Sequence, residues 1–284
     1  MIKILSISAV ITILLFVSLN FIFPLPGNVE YSTIITGNKG EVLHAFLTKD
    51  EKWRMKTSLD EISPLLRTTI IEKEDKLFYY HSGVNPFAIA RAVIKNIFHL
   101  KRTSGASTIT MQVARALEPK SRNYFNKLIE IFRAYQLELK YNKDEILQLY
   151  CNRLPYGGNI EGVKSASLLY FEKDPDHLSL AEITALCIIP NRPSSLVPGK
   201  HNDRIIAERN KWLKKFAADQ VFTKKQIEDA LTEPFTASRN VVPKFIPHLA
   251  YKLKKNGPPV IRSSIDIKTQ LKTEKIVSDY SRSL

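Results

Sequence analysis

The sequence predicts a mainly α-helical protein with a short β segment near its start and one transmembrane helix before that segment. Three observations support this prediction: an apolar run at the N-terminus, an alternating segment around a Gly-Asn-Lys-Gly turn, and repeated helix-start signals further along. A chain of 284 residues is long enough for one sizeable core and part of a second domain.

The first 25 residues form the predicted membrane anchor. Residues 4–23 supply about 20 apolar or small side chains, enough for a helix to cross a hydrocarbon core about 30 Å thick. The run is longer than the apolar region of a usual signal peptide, and no small-residue cleavage site follows it. Lys3 and the N-terminal amine are the only positive charges before the run, which predicts a cytoplasmic N-terminus and the rest of the chain on the outer side.

Charge and cysteine content narrow the class of partner. The chain has 42 Lys+Arg against 28 Asp+Glu, a net charge of +14, which favours an anionic partner. Because the chain also begins with an apolar anchor, we expect a membrane surface or a phosphorylated substrate and no nucleic acid. Cys151 and Cys187 lie in apolar, helical stretches and are predicted to be buried free thiols, with a disulfide as the alternative. The Cys and His residues form no metal-ligand cluster in the sequence.

After the anchor, the sequence divides into three further segments. Residues 26–57 are a β-containing linker, in which YSTIITGNKGEVLHAFL, residues 31–47, is typical of a hairpin. Residues 58–256 are predicted to be a helical domain, and residues 257–284 are strand-like and then amphipathic, which indicates the start of a further segment. Four helix starts in the helical domain have capping-box spacing: Ser58 with Glu61, Asn142 with Glu145, Ser179 with Glu182, and Thr223 with Gln226.

Two adjacent acids, Glu74 and Asp75, interrupt the apolar and aromatic run IIEKEDKLFYYHSGVN at residues 70–85. On a helix through residues 63–78, Glu74 and Phe78 would lie one turn apart, with His81 just past the end. Glu74 would then line a cleft near the helix terminus. The alternative is an acid pair on the solvated face of an amphipathic helix.

Hydroxyl residues open the next candidate stretch, KRTSGASTITMQVAR at residues 101–115. Backbone N–H groups and hydroxyls at a helix N-terminus form an anion site, and Gln112 and Arg115 would extend it along one face. The alternative is a Ser/Thr-rich turn with an N-cap.

A third stretch, residues 121–158, places Arg122, Lys127 and Glu130 within about two helical turns. These charges lie away from an apolar stripe, an arrangement most often seen on a solvated face. The stripe consists of Leu128, Ile131, Phe132, Tyr135 and Leu139.

In order and spacing, these stretches resemble the signature blocks of glycosyltransferase family 51, the peptidoglycan glycosyltransferase domain of class A penicillin-binding proteins. The family patterns are ED-x-x-F-x-x-H-x-G, G-[GA]-S-T-[IL]-T-x-Q, R-K-x-x-E, I-L-x-x-Y-x-N and a proline-bounded block. The matching segments are EDKLFYYHSG at 74–83, GASTITMQ at 105–112, NKLIE at 126–130, ILQLYCN at 146–152 and PNRP at 190–193.

The resemblance implies a lysozyme-like helical domain that polymerises lipid II with inversion and releases undecaprenyl pyrophosphate. Glu74 would be the general base that activates the acceptor hydroxyl, and Glu130 a second catalytic residue that holds the surrounding cations or a divalent metal, Mg²⁺ or Mn²⁺. No organic cofactor is expected. Substrate binding is expected of Asp75, Phe78, His81, Gly83, Ser107, Thr108, Gln112, Arg115, Arg122, Lys127, Tyr150 and Asn152.

Three positions depart from the family patterns. Asn85 stands in place of Asp, but either residue caps the helix that enters Pro86. Asn126 replaces Arg, which leaves Lys127 and Arg122 to bind phosphate. Arg115 replaces Lys and adds a bidentate fork. The chain contains no S-x-x-K and no K-T-G, so no acylatable serine centre is predicted.

The expected partners are lipid II, the growing glycan strand, the membrane, and a transpeptidase or other cell-wall synthesis protein. The expected location is the bacterial inner membrane, with a single span and the catalytic domain in the periplasm. Two other functions stay open from the residues. A lysozyme-like glycan hydrolase would need no cation cluster, and an inactive glycan-binding or scaffolding protein would need neither Glu74 nor Glu130.

Overall fold

The computed structural model describes residues 11, 14–27, 29–91, 107–121, 123–254 and 258–283. The strands are β1 Ile34–Thr36, β2 Val42–Ala45, β3 Trp53–Arg54, β4 Pro155–Gly157, β5 Ile160–Glu161 and β6 Val260–Arg262. The helices with both ends described are α1 Pro64–Glu74, α2 Ile109–Leu117, α3 Tyr124–Lys140, α4 Lys143–Arg153, α5 Val163–Phe171, α6 Leu180–Ile188, α7 Asn202–Ala218, α8 Lys224–Thr232, α9 Pro247–Lys254 and α10 Ile267–Arg282. Residues 14–22 and 86–91 are also helical. The predicted mainly α-helical class with small sheets is confirmed.

The chain divides into two compact units. One contains the segment up to Val29 together with Leu77–Leu147, and the other contains Glu30–Lys76 and Gln148–Leu284. In the described ranges, no helix combines the length and apolar character that a membrane span requires.

In the first unit, α2 packs against α3 around a small core of Val84, Met111 and Ala134. The predicted apolar stripe of α3 is only partly buried: Ile131 packs against this core, whereas Leu128 and Leu139 are 65% and 75% exposed. The fully buried residues of α3 include Ala134 and Leu137, which lie outside the predicted stripe. A small residue such as Ala134 at the contact lets two helices approach closely.

The segment before the first unit's helices is attached to α3 by hydrogen bonds. Arg133 Nη1 donates to the backbone oxygens of Phe23 and Pro24, at 2.7 and 2.8 Å. Gln136 Nε2 donates to the oxygen of Phe23 at 2.9 Å and to Asn20 Oδ1 at 2.7 Å. These donors satisfy carbonyl groups that the end of a helix leaves unpaired.

In the second unit, the predicted hairpin is present as antiparallel β1 and β2, with a register shift between Ile35 and Thr36. The third strand of this sheet is β6, which lies parallel to β1 with Ile34 opposite Val260. The strand-like stretch after residue 257 therefore completes the sheet that the hairpin begins. A second sheet, in the order β3-β5-β4, lies in the same unit.

Helix α6 is at the centre of the second unit and packs against α1, α5, α7 and α8. Its core cluster with α7 and α8 consists of Leu180, Ala181, Leu213, Phe216, Ile227 and Ala230. The predicted capping boxes at Ser179 and Thr223 begin α6 and α8.

The predicted helix over residues 63–78 is wrong at its C-terminal end. Ser63 caps the start by accepting from the Leu66 N–H at 3.2 Å, but the helix ends at Glu74. Asp75 adopts φ −160° and its N–H bonds to the Ile71 oxygen, which closes the last turn. Phe78 lies in a separate 3₁₀ turn, Phe78–Tyr80, so Glu74 and Phe78 do not share a helix face.

The predicted start at Ser58 is also displaced. Glu61 Oε2 accepts from the Ser58 N–H at 3.2 Å and from Thr57 Oγ1 at 2.9 Å, as a capping box would require of its acid. The helix nevertheless begins at Pro64, because a proline fits the first helical position and Ser63 precedes it as an N-cap.

An ion-pair network around Arg54 stabilises the second unit in a pH-dependent way. Arg54 is 3% exposed, and its guanidinium bonds to Asp50 at 2.7 Å and to Glu161 at 2.8 Å. The hydrogen bond from Arg54 lowers the pKa of Asp50 from 3.8 to about 2. The stabilisation is therefore complete above pH 4 and is lost as the pH falls towards 2.

We expect Asp50→Asn to lower the free energy of unfolding by about 1 kcal/mol at pH 6, a value reduced for solvent screening of an exposed carboxylate. Urea unfolding followed by tryptophan fluorescence at pH 6 and pH 3 measures this difference, which should shrink at the lower pH. Asp229→Asn is the control, since no ion pair to Asp229 is present in the described part of the chain. A wild-type-to-variant difference that is equal at both pH values would contradict the assignment.

Candidate active site

Glu74 is the last residue of α1, and its side chain is 11% exposed. Its carboxylate accepts a hydrogen bond from the ammonium group of the preceding residue, Lys73. It is therefore a mostly buried carboxylate with a cation beside it, which differs from the solvated acid pair that the sequence left open.

Tyr150, from α4, belongs to the surroundings of Glu74 in the second unit. Burial first, and the negative charge of Glu74 second, raise the pKa of Tyr150 well above its ordinary value. The pKa of Tyr156 is raised by burial and, more weakly, by the same charge. Both phenols are therefore neutral near pH 7, and they add no charge around Glu74.

Asp75, next to Glu74, is 8% exposed and closes α1 through its backbone.

Asn152 lies near the C-terminal end of α4 and is 1% exposed. It accepts from the Thr57 N–H at 2.9 Å and donates to the oxygens of Thr57 and Gln148, both at 2.8 Å. Substrate binding by Asn152 stays a prediction, and its visible task is to tie the segment before α1 to α4.

In the first unit, the start of α2 is fixed by Thr108. Its hydroxyl accepts from the Met111 N–H at 3.1 Å and donates to the Gly83 oxygen at 2.6 Å. Gly83 has φ +83°, and a Cβ there would lie 3.1 Å from the Ala134 oxygen of α3. Both the positive φ and this close approach require glycine.

Phe78 and His81 lie in the same unit and contact one further side chain, Lys143. Phe78 is fully buried, with the Lys143 ammonium group 4.7 Å from the centre of its ring. Lys143 also donates to the His81 backbone oxygen and, at 2.7 Å, to Glu138. These contacts fix the chain segment around Phe78 and His81, and Lys143 lies outside the motif blocks.

Charged side chains from α2 and α3 form a cluster around Glu130, which we call the cation cluster. Lys127 Nζ donates to Glu130 Oε2 at 2.9 Å and to Ser107 Oγ at 2.8 Å. Arg115 Nε lies 3.1 Å from the other oxygen, Glu130 Oε1. The two cations share one carboxylate, so the cluster keeps a net positive charge.

The cation cluster is accessible to a ligand. The side chains of Arg115 and Lys127 are 29% and 37% exposed, while Glu130 is 17% exposed. Gln112 is half-buried one turn before Arg115 on α2. Chemically, the arrangement can bind an anion by charge-assisted hydrogen bonds. Arg122 lies outside the described residues, as do the first two residues of the GASTITMQ block.

Within the described ranges, no group of three or more His, Cys, Asp or Glu side chains could hold a metal ion. Glu130, the expected metal ligand, has one oxygen bonded to Lys127 and the other paired with Arg115. Its surroundings thus suit an anion better than Mg²⁺ or Mn²⁺, and no catalytic step is assigned to a metal.

A protein-family model described as "Transglycosylase" matches residues 39–217. This chain belongs to the transglycosylase family. The matched residues include Glu74 and the members of the cation cluster.

Two curated relatives of this transglycosylase come from Escherichia coli strain K12. Penicillin-binding protein 1C is 34% identical over 261 residues, which is 91% of this chain and 34% of the relative. Penicillin-binding protein 1A is 37% identical over 190 residues, 66% of this chain and 22% of the relative. The transglycosylase chain thus spans about a third or less of the length of these relatives.

The crystal structure of penicillin-binding protein 1A from Haemophilus influenzae matches with a TM-score of 0.42 and 20% identity. The match covers 75% of this transglycosylase and 22% of that chain.

Proposed function

We propose that this transglycosylase is a membrane-anchored enzyme that polymerises lipid II into glycan strands. In the proposed reaction, the 4-hydroxyl oxygen of the acceptor sugar forms a bond to the anomeric carbon of the donor. The bond from that carbon to the donor's phosphate oxygen breaks with inversion, and undecaprenyl pyrophosphate leaves with the electron pair. Glu74 takes the hydroxyl proton as general base.

The observation that carries this proposal is the cation cluster. A departing pyrophosphate needs fixed positive charge and hydrogen-bond donors, and Lys127 and Arg115 supply both. Glu130 holds the two cations in place from one carboxylate. Glycan hydrolysis releases no such anion, so this arrangement favours a transferase over a lysozyme-like hydrolase.

The proposed location is the bacterial inner membrane, with a single span and the catalytic domain on the periplasmic side. Support comes from the apolar residues 4–23, of which Phe21 and Ile22 expose their side chains. The lipid tail of the substrate stays in the bilayer, which suits an enzyme anchored there. Because polymerised strands are cross-linked in the cell wall, a transpeptidase or another cell-wall synthesis protein is the proposed partner.

The deciding experiment is to incubate the detergent-solubilised protein with labelled lipid II and to separate the products by size. A polymerase gives a ladder of glycan strands that lengthens with time. A hydrolase gives no ladder from lipid II but releases short sugars from preformed glycan, and a scaffold gives neither product. Either of these last two results would refute the proposed function.

A further inference from the structure

Lys73 is a buried lysine directly beside the proposed base. Its side chain is 1% exposed, and its ammonium group donates to Glu74 Oε1. The sequence gives no sign of this role, because adjacent helix residues normally point in different directions. A lysine that was only solubilising α1 would extend into solvent.

The rest of the Lys73 environment keeps the ammonium group in place without neutralising it. Its Nζ lies 5.2 Å from the ring centre of Trp212 on α7, within the range of a cation–π interaction. Cys187, on α6, also faces the pair: burial raises the pKa of its thiol to about 12, and the charges of Lys73 and Glu74 act on it in opposite directions. The thiol is therefore neutral near pH 7.

Helix α1 itself is an unfavourable place for a carboxylate. Glu74 is the last helical residue, where the helix dipole presents its negative end and favours cations over anions. Burial also favours the neutral form of a carboxyl group. Tyr150 and Tyr156, which feel the charge of Glu74, are neutral phenols. Lys73 thus provides the positive charge that offsets both effects.

We propose that Lys73 is a positioning residue that holds the Glu74 carboxylate oriented to accept the proton of the acceptor hydroxyl. This inference rests on the proposed function, since it assigns a task relative to the general base. When Glu74 takes the proton, its carboxyl group becomes neutral and Lys73 keeps its own three protons. The lysine therefore acts through Glu74 and does not contact the reacting atoms.

The test compares the pH dependence of the lipid II polymerisation rate in wild type, Lys73→Met and Lys73→Arg. For Lys73→Met we expect about a tenfold loss of rate at pH 7, because the carboxylate is no longer held in place. We also expect the acidic limb of its pH–rate profile to move to higher pH, because a positive charge beside the carboxylate is lost. Lys73→Arg should restore the wild-type limb, because it keeps the charge. A Lys73→Met profile with an unmoved limb would overturn the proposal.

Lys215→Met is the matched control. Lys215 also lies over the Trp212 ring, at 4.4 Å, but makes no ion pair with Glu74 in the described residues. Its removal should leave the acidic limb unmoved. An equal shift in both lysine variants would show that the effect comes from Trp212 or from general charge, and would overturn the proposal.

Folding failure is tested with the double variant Lys73→Met/Glu74→Gln. If Lys73→Met alone unfolds and the double variant folds, the cause is the loss of the lysine's charge beside the buried carboxylate, as the proposal requires. If neither folds, the lysine serves packing and the proposal is wrong. Two results separate the two proposals: absence of a glycan ladder with the wild-type protein refutes the proposed function, and full activity of Glu74→Gln removes Glu74 as the base and the role of Lys73 with it. A wild-type ladder and an inactive Glu74→Gln, together with an unmoved Lys73→Met limb, refute only the role of Lys73.

Discussion

Glu74→Gln should lower the rate of lipid II polymerisation by about 100-fold or more, because the loss of a general base removes that much of the acceleration. The amide keeps the shape of the side chain and can still interact with Lys73, so the fold should persist. The rate is measured from the appearance of glycan strands, and the fold from thermal unfolding. A variant that retains more than about a tenth of the wild-type rate would remove Glu74 from the role of base.

Glu72→Gln provides the comparison for this prediction. Glu72 lies in the same last turn of α1, but its side chain is 29% exposed and its ion pair is with Lys76, at 3.4 Å. Its rate should stay within about twofold of wild type, because an exposed ion pair contributes little. If Glu72→Gln lost as much activity as Glu74→Gln, the charge of α1 in general would matter and not one base.

Neutralising the cation cluster should weaken binding of a phosphoglycolipid inhibitor of the moenomycin type, which resembles the family's donor substrate. Each charge-assisted contact contributes roughly 1.5 to 3 kcal/mol, so Arg115→Gln and Lys127→Met should each cost about tenfold to a hundredfold in affinity. Arg122→Gln is expected to behave similarly. The dissociation constants are measured with a fluorescent inhibitor in detergent.

The shared Glu130 carboxylate also predicts how the Arg115 and Lys127 substitutions combine in a double variant. Because Lys127 and Arg115 both pair with Glu130, the double variant should not show the sum of the two single losses. Lys140→Met is the control, since Lys140 is exposed at the end of α3 and contacts Tyr141, away from the motif blocks. A threefold change or less is expected there. Equal losses in all variants would mean that the +14 net charge attracts the inhibitor diffusely.

The sequence by itself determined the features that depend on neighbours within one turn. The boxes at Asn142, Ser179 and Thr223 form as predicted, because both partners of each bond lie three residues apart. The same holds for the Asn85 cap, which accepts from the Ala88 N–H at 3.0 Å. The spacing of the motif blocks also determined the family, since a block pattern is a property of the order of residues alone.

Pairing across long separations was decided by the tertiary structure. β6 joins β1 across more than 200 residues, and no local pattern specifies which strand completes a sheet. The contact of Gly83 with Ala134 on α3 arises in the same way. In the cation cluster, the sequence identified Arg115, Lys127 and Glu130, but only the packing of α2 on α3 made one carboxylate serve two cations.

The C-terminal end of α1 shows most clearly which features the sequence determined and which features the tertiary structure decided. The apolar spacing predicted a helix through residue 78, whereas Asp75 closes the last turn and leaves Glu74 at the helix terminus. Burial against α6 and α7 then places Lys73 beside Glu74 and Trp212. The sequence alone could identify the acid, because its motif is local. The sequence could not identify Lys73 as the partner of this acid, because the fold alone determines which side chains are buried.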